Sequence, residues 1–256
     1  MIYDVIIIGA GCTGVLTAYK LAKYDVKTLV LEAGHDVASG ATKANSAISH
    51  AGFDAENGTI KARLNVEGTR QMPSLAKKLD IEYNMCGSLV MAFGEEELAH
   101  LKLLYERGVN NGVPDMVIIG QEKLREIEPN ISPDATHALL APTGGIVSAW
   151  GLPIAAAECA AYNGTEFVFN YRVNRIDREN GVFTVSNGVR EYQSRFLVNA
   201  TGVWSDVVAE MAGERDFEAR IIPRRGEYML LDKTEGKTAK HVLFSVPSEK
   251  GKGVLV

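Results

Sequence analysis

The residues best suited to chemistry lie near the N-terminus, in the run Gly9-Ala-Gly11-Cys-Thr-Gly14. Its spacing suits a pyrophosphate. Gly9 permits a tight turn, Gly11 has no Cβ and lets backbone approach the phosphates, and Gly14 lets a helix pack closely on a strand. A helix starting there adds free N–H groups and the positive end of its dipole. Glu32 follows eighteen residues after Gly14 and can accept hydrogen bonds from ribose hydroxyls. Glutamate rather than arginine there favours an unphosphorylated ribose, and so FAD or NAD over NADP. Alone, the glycine pattern is also met in ordinary glycine-rich turns, so its context decides.

That context is a βαβ unit. Tyr3-Asp-Val-Ile-Ile-Ile-Gly reads as a short, β-branched buried strand ended by glycine. Val15 to Ala22 has apolar residues at helical spacing, and Lys27 to Glu32 reads as a second strand. A loop of small hydroxyl and amide residues follows, from Ser39 through Thr42, Lys43, Asn45 and Ser46 to His50 and Gly52. It has no proline and few charges, which suits contact with a large polar ligand better than plain solvation. Far along the chain, Arg195 to Asn199 reads as a strand ending in the small turn Ala200-Thr201-Gly202, with a helix from Val203 to Ala212. A second nucleotide-facing turn suits a two-part FAD domain better than an NAD domain.

These motifs, with Pro223-Arg-Arg-Gly226, resemble the D-amino acid oxidase-like FAD-dependent oxidoreductases over essentially the whole chain. Gly145-Ile-Val-Ser-Ala-Trp150 and Arg225-Gly-Glu-Tyr228-Met-Leu-Leu-Asp-Lys narrow the resemblance. They point to the anaerobic glycerol-3-phosphate dehydrogenase large subunit and its L-2-hydroxyglutarate oxidase relatives. The resemblance implies an α/β fold in which a Rossmann-like FAD-binding domain is interleaved with a β-rich substrate domain. The expected FAD-binding parts are residues 1–80 and 146–215, and the expected substrate parts 81–145 and 216–256. It also implies FAD contacts from Gly9, Gly11, Cys12, Thr13 and Gly14, from Glu32 and Ala33, and from Thr42, Lys43, Asn45 and Ser46. Val173, Ala200, Thr201 and Gly202 complete the expected set. Lys43 can equally be read as a solvated loop lysine. Gly253-Val-Leu-Val256 reads as a strand cut short, and the resemblance implies a chain that runs on past it.

Three residues are the catalytic candidates: His50, Arg225 and Tyr228. An imidazole can take a hydroxyl proton near neutral pH, so His50 reads either as a flavin-side base or as a hydrogen-bonding loop histidine. Arg225, in the family's PxRG arginine position, could hold a phosphate or carboxylate bidentately or form a structural salt bridge. With Arg224 beside it in an expected strand, only one of the two would face the site. Tyr228 could donate to substrate or pack in a sheet. The implied reaction is oxidation of an anionic secondary alcohol, best glycerol 3-phosphate, with an L-2-hydroxy acid or amine oxidase as alternatives. A non-catalytic FAD-binding subunit is a further alternative. Electrons would pass to an electron-accepting subunit or a quinone.

Composition sets outer bounds. The 256 residues carry 27 Lys and Arg against 32 Asp and Glu, a net charge of −5. That disfavours nucleic acid as a partner, which asks for a basic excess. Apolar residues at 46% and charged residues at 23% exclude a disordered or low-complexity chain. Cys12, Cys86 and Cys159 include no CxxC, which argues against a disulfide framework, a metal site or an iron–sulfur cluster and for a reducing, cytoplasmic setting. The fifteen uncharged residues from Val5 to Tyr19 fall short of the roughly 18 apolar residues of a membrane span.

Further elements follow from periodicity and punctuation. Helices are predicted over 60–79, with Leu64, Leu75 and Leu79 among its apolar positions, and over 95–108, 121–127 and 152–162. Strands are predicted over 86–93 and 117–119, and a strand pair over 166–177 and 181–186.

Overall fold

The computed structural model describes residues 1–214, 220–246 and 255–256. The chain divides into two units. The first comprises Met1–Ser46, Leu79–Ile81 and Ser148–Glu227, and the second Ala47–Lys78, Glu82–Val147 and Tyr228–Val256. Relative to the division expected from sequence, residues 47–78 and 146–147 fall in the second unit, and residues 81 and 220–227 in the first. In chain order the strands and helices are β1 (Ile2–Ile8), α1 (Cys12–Leu21), β2 (Thr28–Leu31), β3 (Ile48–Ser49) and α2 (Ile60–Leu79). Then come β4 (Tyr83–Asn84), β5 (Ser88–Ala92), α3 (Glu95–Asn111), β6 (Val117–Gly120), α4 (Gln121–Ile127), β7 (His137–Ala141) and β8 (Gly145–Val147). The chain continues with α5 (Gly151–Tyr162), β9 (Glu166–Val168), β10 (Arg175–Glu179), β11 (Val182–Ser186), β12 (Glu191–Asn199), α6 (Ser205–Met211) and β13 (Val242–Ser245).

The first unit is built on a six-stranded sheet in the order β10-β11-β12-β1-β2-β9. β12, β1, β2 and β9 are parallel, and β10 and β11 are antiparallel. β1 is buried from Val5 to Ile8, and all four residues of β2 are buried. A parallel strand with both faces covered reads as a near-continuous apolar run, as residues 5–8 and 29–31 do. α1 buries Gly14, Val15, Ala18 and Tyr19 and packs against the alanine-rich α5. Tyr171 is wholly enclosed, its hydroxyl between the carbonyls of Val185 at 3.0 Å and Arg190 at 2.6 Å. Burial, the largest cause, pushes its pKa up to about 12, so it stays a donor.

The predicted strand pair over 166–177 and 181–186 resolves differently. β9 leaves the hairpin and pairs with β2, Leu29 opposite Glu166, and only β10 and β11 form the hairpin. Asn170 at φ +55° breaks the run between them. The strand expected around Arg224 and Arg225 is absent: residues 220–232 have no regular secondary structure. Its backbone lacks the ladder partner that defines a strand among the described residues.

The second unit has a four-stranded sheet, β13-β5-β7-β6, and a small sheet, β3-β8-β4. The two-residue period sorts its core. Val90, Leu139 and Phe244 join one cluster with Phe53, Leu101 and Leu104, while Leu89, Ala138 and Leu243 join another with Leu124. α3 opens on Glu95, Glu96 and Glu97, which suit the positive end of its dipole. α2, over the span expected from sequence, buries Ala62, Thr69 and Ala76, a seven-residue stripe. Of its leucines, Leu75 and Leu79 are half-buried and Leu64 is exposed, about 200° around the helix from Ala62. Of the strand expected over 253–256, residues 253 and 254 lie outside the described residues. Leu255 bridges Phe244 in antiparallel fashion.

Glu128, 1% exposed, fixes the start of β13. Its Oε1 accepts from the Lys240 N–H at 2.8 Å, the His241 N–H at 2.6 Å and His241 Nδ1 at 2.7 Å. Glu128→Ala orphans these donors, each costing about 1–3 kcal/mol if left unpaired. The expected loss is about 3 kcal/mol in a urea unfolding titration. An unchanged midpoint would show that the carboxylate does not hold β13.

Candidate functional site

Where β1, β2 and β12 end, the first unit opens a cavity of about 740 Å³. That lies in the range of small-molecule sites, about 300–1,000 Å³. It sits at the carboxyl ends of parallel strands, the place where open α/β sheets bind ligands. Its floor depends on absent side chains. A Cβ on Gly14 would lie 1.9 Å from the Gly9 carbonyl oxygen, and one on Gly9 would lie 2.5 Å from the Ala200 oxygen. Gly9 also has φ +102°, a conformation that favours glycine. Gly11, the residue before the first turn of α1, would place a Cβ 3.1 Å from Thr42 Oγ1 on the cavity wall.

Polar groups tie the strand ends together. Glu32 Oε2 accepts from the Ala10 N–H and Oε1 from the Gly34 N–H, both at 2.7 Å. One carboxylate thus sets the loops after β1 and β2, and its remaining lone pairs can still accept from a ligand. Thr42 Oγ1 accepts from the Cys12 N–H at 3.0 Å, binding the small-residue loop to the start of α1. Asn45 Nδ2 donates to the carbonyls of Ala41 and Thr42 and holds that turn. On the far wall, Asn199 Oδ1 accepts from the Thr201 N–H and hydroxyl, and Asn199 Nδ2 donates to the Ser205 carbonyl. Burial pushes the Cys12 thiol up, which keeps it protonated rather than nucleophilic.

Of the residues singled out from sequence, Gly9, Gly11, Cys12, Thr13, Glu32, Ala33, Thr42, Val173, Ala200, Thr201 and Gly202 line this cavity. Gly14 lies beneath it against Gly9. Lys43, Asn45 and Ser46 are not lining residues; Lys43 and Asn45 are exposed. Arg172 and Trp204 also line it, with the Arg172 Cζ 5.9 Å from the Trp204 ring centroid. Arg172 escaped sequence analysis because an exposed charge inside a strand-like run has no local signature.

The catalytic candidates are not among the residues lining this cavity. Arg225 belongs to the first unit, where it is exposed and has no hydrogen bond or ion pair among the described residues. The segment leading to it is tethered by Asp206, which accepts from the Ile221 N–H at 3.1 Å, and by the Arg220–Glu210 salt bridge at 2.9 Å. His50 and Tyr228 belong to the second unit. The His50 carbonyl accepts from Asn65 Nδ2 at 2.5 Å and Thr69 Oγ1 at 2.6 Å, and its ring centroid is 5.6 Å from that of Phe244. Tyr228 is 63% exposed and unconnected to any sheet.

Gly14→Ala, which drives a Cβ into backbone, is expected to destabilise the fold by about 2 kcal/mol or more, read as a lowered melting temperature. Gly11→Val is expected to melt nearly normally yet bind no dinucleotide; normal cofactor content would remove Gly11 from the site. The Ile221 N–H holds the Asp206 carboxyl below the usual carboxylate range. A depressed pKa stabilises above the ordinary value, and the tether is lost as pH falls through the lower, folded one. The Ile221 amide resonance is therefore expected to titrate below about pH 3.9, and a midpoint at or above that value would contradict the tether.

The pattern of the family described as "DAO: FAD dependent oxidoreductase" matches residues 4–256. The chain is 42% identical over 254 residues to a glycerol 3-phosphate dehydrogenase of Caloramator mitchellensis, covering 99% of this chain and 52% of that protein. It is 28% identical over 249 residues to an L-2-hydroxyglutarate dehydrogenase of Indibacter alkaliphilus, covering 96% of this chain and 62% of that one. The chain thus spans about half to three fifths of the length of these curated relatives. Among solved structures, the dithionite-reduced L-alpha-glycerophosphate oxidase of Mycoplasma pneumoniae with FAD bound matches with a TM-score of 0.83 and 24% identity. That match covers 100% of this chain and 68% of the oxidase, and it is a likeness of fold. Among the described residues no helix is long and apolar enough to cross a membrane. Together, the pattern across residues 4–256 and the cavity at the strand ends show that the chain belongs to the DAO family of FAD-dependent oxidoreductases.

Proposed function

We propose that this protein oxidises sn-glycerol 3-phosphate to dihydroxyacetone phosphate. The observation that carries the reading is the 42% identity, across 99% of this chain, to a glycerol 3-phosphate dehydrogenase. The cavity supports the cofactor half of it. The open face at Gly11 and the start of α1 suit a diphosphate, and the spare lone pairs of Glu32 suit a ribose. Ala33, Thr42 and Val173 would flank the nucleotide, with Ala200, Thr201 and Gly202 on the opposite wall. Asn45 would act by holding the turn that carries Thr42, and Lys43 and Ser46 from the same loop. When bound, FAD supplies the acceptor for the hydrogen and two electrons that leave the substrate carbon.

The remaining roles fall to side chains of this chain. His50 takes the hydroxyl proton at a ring nitrogen, its backbone held by Asn65 and Thr69. Arg225 binds the anionic end of the substrate through its guanidinium, which no carboxylate occupies among the described residues. Tyr228 donates its hydroxyl to the substrate. A partner subunit or a quinone then receives the electrons, in the cytoplasm or at a membrane reached through that partner. An L-2-hydroxy acid is the second reading, supported by the 28% identity to an L-2-hydroxyglutarate dehydrogenase.

Anaerobic addition of glycerol 3-phosphate to the flavin-loaded protein is expected to bleach the visible flavin band. Bleaching by L-2-hydroxyglutarate instead would favour the second reading, and none with either would favour a cofactor-binding piece without turnover. Arg225→Ala is expected to raise KM for the anionic substrate about tenfold or more with kcat less affected. Unchanged kinetics would remove Arg225 from the site.

A further inference from the structure

We propose that Arg172 receives the FAD diphosphate and that Trp204 holds its guanidinium in place to do so. Among the described residues lining the cavity, Arg172 is the sole cation and Glu32 the sole anion. The two do not neutralise each other. The Glu32 oxygens accept from Ala10 and Gly34, and Arg172 has no carboxylate partner among the described residues. Its position is set by backbone. The Asn170 N–H donates to the Gly34 carbonyl and the Tyr171 N–H to the Glu32 carbonyl, both at 2.8 Å. Arg172 therefore emerges beside the end of β2 rather than from a free loop.

The diphosphate of FAD carries two negative charges. The start of α1 offers only a partial positive charge, and the Cys12 N–H there is already taken by Thr42. A full positive charge is the missing element, and Arg172 supplies it. Its guanidinium carbon stands 5.9 Å from the Trp204 ring centroid, within the about 6 Å of a cation–π contact. A base slipped between them would need about 7 Å, twice the optimal carbon–carbon separation. The pair is therefore not a sandwich for adenine. A guanidinium resting on a ring face keeps its in-plane N–H donors for an oxyanion.

The test is equilibrium binding, independent of turnover. FAD is titrated by flavin fluorescence into the wild type and into Arg172→Gln, Arg172→Lys and Trp204→Leu, each checked for folding by circular dichroism. ADP and adenosine serve as competitors. Arg172→Gln is expected to weaken FAD and ADP by about tenfold or more, to flatten the salt dependence of Kd, and to leave adenosine unchanged. Arg172→Lys, which keeps the charge and loses the fork, is expected to fall between. Trp204→Leu is expected to show a smaller loss in the same direction. Equal FAD affinity in wild type and Arg172→Gln would overturn the proposal, as would an equal loss for adenosine. A wild type that binds neither FAD nor ADP would overturn the cavity as the nucleotide site, and the proposal with it.

Discussion

The nucleotide unit depends on backbone meeting backbone without side chains between. The Gly9 carbonyl lies where a Gly14 Cβ would be, and the Ala200 carbonyl lies where a Gly9 Cβ would be. Those two approaches draw the end of β1, the start of α1 and the turn after β12 into one wall. The Ala200 N–H donates to the Ile8 carbonyl at 2.9 Å and the Gly9 N–H to the Leu31 carbonyl at 2.8 Å, so three strand ends share one level. An anion-binding site at a helix start needs this arrangement, because the dipole effect fades within a turn.

Once the backbone is set, a few polar side chains do the remaining alignment. Glu32 locks two loops with one carboxylate, Thr42 ties the distal loop to α1, and Asn199 shapes the opposite turn. Each is a side chain satisfying backbone groups that no helix or sheet reaches. The second unit uses the same device twice, at Glu128 under β13 and at Asn65 and Thr69 on the His50 carbonyl. Side chains that hold loop backbone thus recur in both units, while the guanidiniums of Arg172 and Arg225 lack carboxylate partners among the described residues.

The parts legible in sequence were those fixed by local pattern. β1 and β2 read correctly because burial on both faces demands apolar runs. α4 matched its expected span, stopped by Pro129, and α5 matched to one residue. What failed was non-local. Nothing within residues 166–177 indicates that β9 pairs with β2, a strand over a hundred residues earlier. Residues 220–232 have strand-like composition but no partner ladder among the described residues. α2 matched its expected span, and its buried stripe is made of the small residues Ala62, Thr69 and Ala76. The glycine framework of the cavity could be read from its spacing together with the strand–helix–strand context around it. Arg172 could not, because its place comes from two backbone hydrogen bonds to Glu32 and Gly34, just past the end of β2.

All of this turns on whether FAD occupies the cavity at the ends of β1, β2 and β12. A crystal structure of the protein grown with FAD would decide it. The diphosphate is expected over the start of α1 beside Gly11, with a ribose hydroxyl on Glu32 and the guanidinium of Arg172 on a phosphate oxygen. FAD bound outside this cavity, or ordered with its diphosphate away from Gly11, would refute that placement.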